Sequence, residues 1–211
     1  MMDFSATFAP YDAQDEQSIR EIGRAIFEAT RSGYLQQPVK VLWAAFGDQG
    51  LLPLAPCGPP VVFSQKLTPQ KQKDIQERTR SEDFANWLGE CATVIKALSH
   101  SAQQYTDVSG ALAFAASATR EARSKRLLIL YSDLLEDLPR DRSPSTFDLT
   151  GDDVLIVWRP GLDDRKQPAE VQKRVAAASA LYKERGATRV CDTAAQTITS
   201  GDVLSCLTTK R

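Results

Sequence analysis

The chain has 211 residues, 42% of them hydrophobic, and a formal net charge of -1 at pH 7, with a pI near 5.9. That suits one soluble domain spanning 1–211 and argues against a nucleic-acid partner, which selects a basic face. No apolar run approaches the roughly 20 residues that span a bilayer, and no charged-then-apolar leader opens the chain as written.

From Ala13 to Ser32, Ile19, Ile22, Ile26 and Ala29 recur at helical spacing opposite a charged face, which predicts an amphipathic helix stopped by Gly33. Val39 to Phe46 is predicted as one strand, closed by Gly47-Asp48-Gln49-Gly50. Leu51 to Pro60, with four prolines, reads as loop, and Val61-Val62-Phe63 as a short edge strand. Thr68-Pro69 opens a long helical region whose first half, Lys71 to Arg80, is charged and reads as a solvated face. Tyr105 to Ser109 is a predicted turn, followed by an alanine-rich helix over Gly110 to Arg123.

Leu127 to Tyr131 and Val154 to Trp158 are continuous apolar strands without polar alternation, as expected of a parallel sheet covered on both faces. Between them, Leu134 to Asp152 is a loop rich in Pro, Asp and Arg. Pro168 to Arg185 is a predicted helix stopped by Gly186. Thr188 to Cys191 is predicted as a last strand, and a final helix begins near Ser200. Strands alternating with helices in this way indicate an α/β chain: a doubly wound, mainly parallel sheet with helices on both faces.

Cys57, Cys91, Cys191 and Cys206 form no CxxC pair, and His100 is the single histidine, so Cys/His zinc binding is disfavoured. The thiols are expected to be small buried hydrophobes; a disulfide is open to an exported protein, with its pairing unspecified. One imidazole on a helix also leaves no serine–histidine or cysteine–histidine machinery, and no glycine-rich phosphate loop occurs.

Three polar patches carry the chemistry: Asp3-Phe4-Ser5-Ala6-Thr7, Thr106-Asp107, and Asp133 directly after the strand Leu127 to Tyr131. Their carboxylates and hydroxyls are hard oxygen donors suited to Mg²⁺ or Mn²⁺. Two patches fall where strands end, the edge at which open α/β sheets bind ligands. Taken singly, Asp107, Ser109 and Ser132 read as helix caps and turn formers.

In these patches the chain resembles the von Willebrand factor A (vWA) family, whose metal-ion-dependent adhesion site uses three separated motifs. Asp3-Phe4-Ser5-Ala6-Thr7 is similar to the family's Asp-x-Ser-x-Ser. Thr106 before Ala111-Leu112 is similar to its threonine, and Asp133 to its later aspartate. The resemblance implies a metal held by Asp3, Ser5, Thr7, Thr106 and Asp133. It further implies a Rossmann-like fold and non-catalytic binding of a protein or ligand that offers a carboxylate. Thr7 replaces a serine, Leu134 stands where glycine commonly follows the aspartate, and only Met1-Met2 stands for the family's central first strand. A missing upstream segment is the expected cause, and such a segment would allow export.

Two alternatives compete with this reading. Asp3-Phe4-Ser5-Ala6-Thr7 is also similar to the nucleophile loop of haloacid dehalogenase-like phosphatases, with Gly151-Asp152-Asp153 as an imitation of the acidic metal motif. However, Ser5 replaces that family's acid/base aspartate. The other alternative is a metal-free interaction scaffold with a vestigial site.

Overall fold

The computed structural model describes residues 1–3, 12–34, 39–40, 44–47, 50–53, 62–63, 82–83, 85–88, 90, 105–118, 126–161 and 168–208. The chain is α/β. Its sheet contains a run of three parallel strands, β6 (Arg126–Ser132), β7 (Asp152–Trp158) and β8 (Arg189–Ala194). They pair in register from Arg126↔Asp152 to Ser132↔Trp158 and from Asp153↔Arg189 to Trp158↔Ala194. Three further strands, β1 (Met2–Asp3), β3 (Ala44–Gly47) and β4 (Gly50–Pro53), extend this sheet in the order β4-β3-β1-β6-β7-β8.

Alternation along β6 and β7 divides the core into two clusters. Tyr131, Leu155 and Val157 pack with Ile19, Ile22 and Ile26 of α1 (Ala13–Arg31) and Val203 of α4 (Ser200–Thr208). Leu128, Leu130, Val154 and Ile156 pack with Ala111, Leu112 and Ala115 of α2 (Val108–Ala118) and Val171 and Val175 of α3 (Pro168–Glu184). Each such fully buried Leu, Ile or Val side chain stabilises the fold by about 1.5–3 kcal/mol relative to exposure.

Helix ends follow local chemistry. Asp12 caps α1, accepting from the N–H groups of Gln14 and Asp15, while the Asp15 side chain accepts from the Asp12 N–H. Gly33 and Gly186 take φ of 76° and 91° just beyond α1 and α3, the left-handed conformation in which glycine pays no Cβ penalty.

Two predicted segments are corrected. Val39 to Phe46 is not one strand: β2 (Val39–Lys40) pairs antiparallel with β5 (Val62–Phe63) in a separate sheet, while Ala44–Gly47 joins the main one. The predicted loop from Leu51 begins as β4, antiparallel to β3 from Gly47↔Gly50 to Ala44↔Pro53. Gly47 pairs with Gly50 at the end of this antiparallel pair, and Pro53 is tolerated because β4 is the edge strand among the described residues. The predicted charged face Lys71 to Arg80, and also His100, Cys57 and Cys91, lie outside the described residues.

The first strand is short but central. Met2 pairs with Ala45 on one side and Tyr131 on the other, both parallel. The Met1 carbonyl accepts the Tyr131 N–H at 3.0 Å. Among the described residues no helix is long and apolar enough to cross a membrane.

Candidate functional site

By backbone placement, Asp3, Thr106-Asp107 and Asp133 lie at the C-terminal edge of β1, β3 and β6. Asp3 pairs with Phe46, the residue before Gly47. The Gly47 carbonyl accepts the Asp107 N–H at 3.1 Å. Met2 lies beside Tyr131, so Asp3 lies level with Ser132, and Asp133 follows one residue on. Ser5 and Thr7 lie outside the described residues, and Asp3 is placed by its backbone.

Thr106 and Asp133 are completely buried. Thr106 exchanges two backbone hydrogen bonds with Asp137, at 2.8 and 3.0 Å, so the long β6–β7 loop is clipped to the approach to α2. Asp133 Oδ1 accepts the Leu135 N–H at 2.9 Å, and Ser132 Oγ accepts the Leu134 N–H at 2.9 Å. Between them Leu134 is forced to φ 60°. The Asp133 carbonyl accepts from Arg174 Nε at 3.2 Å, tying the turn to α3.

Asp107 is a helix cap, as its sequence context indicates. Its Oδ1 accepts the Gly110 N–H at 2.6 Å, and its Oδ2 pairs with Arg142 at 2.7 Å. A Cβ on residue 110 would come within 2.2 Å of that carboxylate, which explains the glycine. Ser109 is the second clip: its hydroxyl donates to Glu136 and accepts the Ser145 N–H at 2.9 Å. Burial pushes the Glu136 carboxyl above its ordinary pKa, against the hydrogen bonds from Ser109.

Sequence reasoning did not single out the buried charges beside this edge. Arg159, directly after β7, is 8% exposed in its side chain and pairs with Asp15 at 2.6 Å and Asp12 at 3.4 Å. Tyr131 donates its hydroxyl to the other Asp15 oxygen. Burial raises the pKa of Asp15, opposed by Tyr131 and Arg159. It raises that of Tyr131 further, with the Asp15 charge adding to the effect. The available signal was an Asp-x-x-Asp box opening a helix, together with a lone arginine ending an apolar strand.

No family model, curated protein or solved structure matches the chain. The residues must therefore carry the functional argument by themselves. Among the described residues, no group of three or more His, Cys, Asp or Glu side chains is arranged to hold a metal. The expected donor set has only two carboxylates, those of Asp3 and Asp133. Its remaining donors are Ser5, Thr7 and Thr106.

Asp152 and Asp153, the acidic pair of the phosphatase alternative, begin β7 and therefore stand at the opposite end of the sheet from Asp3. Seven-residue strands separate the two ends by roughly 20 Å. Asp152 is instead ion-paired with Arg126 across the first register position.

Proposed function

We propose that this chain is a single vWA-like module, with a doubly wound sheet and a divalent cation at the C-terminal edge of its strands. The metal ligands in this reading are Asp3, Ser5, Thr7, Thr106 and Asp133, and the function is non-catalytic recognition of a protein or ligand. The observation that carries it is the convergence of Asp3, Thr106 and Asp133, the first and last separated by 130 positions in sequence, on the ends of β1 and β6. The strand order, with central β1 flanked by β3 and β6, supports the same reading.

The donor chemistry fits Mg²⁺ or Mn²⁺: hard carboxylate and hydroxyl oxygens, with no thiolate or imidazole among them. When bound, the ion would supply a positive centre whose remaining coordination position takes an acidic group of the partner. The chain's own part is to hold its donors rigid. Asp137 clips Thr106, and the Leu135 N–H orients Asp133. Asp107, Asp12 and Asp15 are engaged by Arg142 and Arg159.

The test is calorimetric titration with Mg²⁺ and with Mn²⁺, comparing the wild type with Asp133→Asn, which keeps side-chain shape. Saturable binding by the wild type, lost in a variant with an unchanged far-UV spectrum, is expected. A folded wild type that binds neither ion overturns the metal reading and leaves a metal-free scaffold. Phosphomonoester hydrolysis abolished by Asp3→Ala would instead support the phosphatase, although the position of Asp152 and Asp153 weighs against it.

A further inference from the structure

Cys191 in β8 and Cys206 in α4 are joined by a disulfide, with Cα atoms 5.9 Å apart and a sequence separation of 15. The pairing that sequence left open is therefore decided by where two elements lie. One contact independent of sulfur joins the two segments, and two others fix α4 where it lies. Arg189 Nη1 donates to the Cys206 carbonyl at 2.6 Å, fastening the last turn of α4 to the start of β8. Thr199 and Asp202 cap α4 reciprocally, through Thr199 N–H to Asp202 Oδ2 at 2.9 Å and Asp202 N–H to Thr199 Oγ1 at 3.2 Å. Val203 is completely buried in the cluster shared with α1. The backbone thus presents the two sulfurs to each other at an ordinary disulfide Cα spacing.

We propose that this chain matures in an oxidising compartment, where a thiol–disulfide oxidant installs Cys191–Cys206 as a permanent cross-link that holds α4 on the sheet. A helix of nine residues is marginal by itself, and a covalent tether supplies the order that its short apolar face does not. Such bonds persist where no thiol reductant removes them and are rare where one does. Cys191 is the less buried of the pair, so its thiolate attacks first. It displaces one thiolate from the oxidant's disulfide and forms a mixed disulfide. The Cys206 thiolate then attacks Cys191 Sγ and expels the second oxidant thiolate. Two protons and two electrons leave the protein's thiols, and the oxidant is recovered fully reduced. This inference does not depend on the metal reading.

Trypsin cleavage after Arg189 and Lys210 leaves both cysteines on one peptide. The protein is isolated from its own cells under acid quench, alkylated and digested without reductant. The peptide is expected to be lighter than the dithiol by two hydrogens and to carry no alkyl group. A peptide alkylated at both cysteines overturns the proposal. In the purified protein, dithiothreitol should lower Tm by roughly 5–10 °C. Cys191→Ala, Cys206→Ala and the double variant should share that lowered Tm and ignore the reductant. A wild type whose Tm is indifferent to reductant would show that the bond does not hold α4, and the proposal would fail there.

Discussion

Leu134 sits at φ 60°, a conformation costing an L-residue about 1–2 kcal/mol, yet its side chain is buried with Phe46, Leu149 and Val154. The strain is maintained because Ser132 and Asp133 each accept the N–H two residues on, closing successive turns that only this backbone satisfies. A glycine would take this backbone without the Cβ penalty, but it would give up the buried side chain. Leu134→Ala should lose about 2–3 kcal/mol of burial and keep the strain. Leu134→Gly should lose the same burial and recover roughly 1 kcal/mol. Urea denaturation is therefore expected to rank Gly above Ala, the reverse of an ordinary site. An alanine variant more stable than the glycine variant would refute the strain argument.

Helix α1 was legible at the element scale because Ile19, Ile22 and Ile26 repeat at helical spacing, and the structure places all three in the core. Its anchorage was not legible, since Arg159 lies 144 residues beyond Asp15 in sequence. Removing one partner of a buried ion pair strands the other, at a cost of about 3–5 kcal/mol. Arg159→Met should therefore destabilise the protein by about 3 kcal/mol. Arg31→Met, which breaks an exposed pair with Glu28, should cost less than about 0.5 kcal/mol. Thermal denaturation of the two variants side by side measures this, and equal shifts would mean that Arg159 holds nothing. The Val39 to Phe46 segment misled for a related reason. A run of apolar residues indicates strand, but nothing local says that Val39 pairs with Phe63 while Ala45 pairs with Met2.

At the scale of the whole molecule, Asp15, Glu136 and Asp152 all have pKa values raised chiefly by burial. A carboxyl raised in the native state binds more protons there than in the unfolded chain. Its contribution is most favourable below the ordinary value and is lost as pH rises through the native one. For Glu136 that loss begins above 4.5, its ordinary value. The stability of the wild type relative to Glu136→Gln should accordingly fall between about pH 4.5 and neutrality. Guanidinium melts across that range decide it: a difference that is constant or grows with pH would count against the burial of Glu136.

Sequence by itself determined that the chain is α/β. The unbroken apolar runs Leu127 to Tyr131 and Val154 to Trp158 can be buried only in a sheet covered on both sides, and the helices between strands carry their own period and stops. It also marked Asp3, Thr106 and Asp133 as chemistry placed at strand ends and turns. Only the tertiary structure decided that these patches share one edge, because strand order and register arise from long-range pairing that no local signal encodes. For the same reason it alone decided which cysteines pair, that Asp15 is buried against Arg159 and Tyr131, and that Asp152 lies at the far end of the sheet. A charge or a thiol carries its partner's chemistry in its type, but the partner's identity is set by where the chain returns.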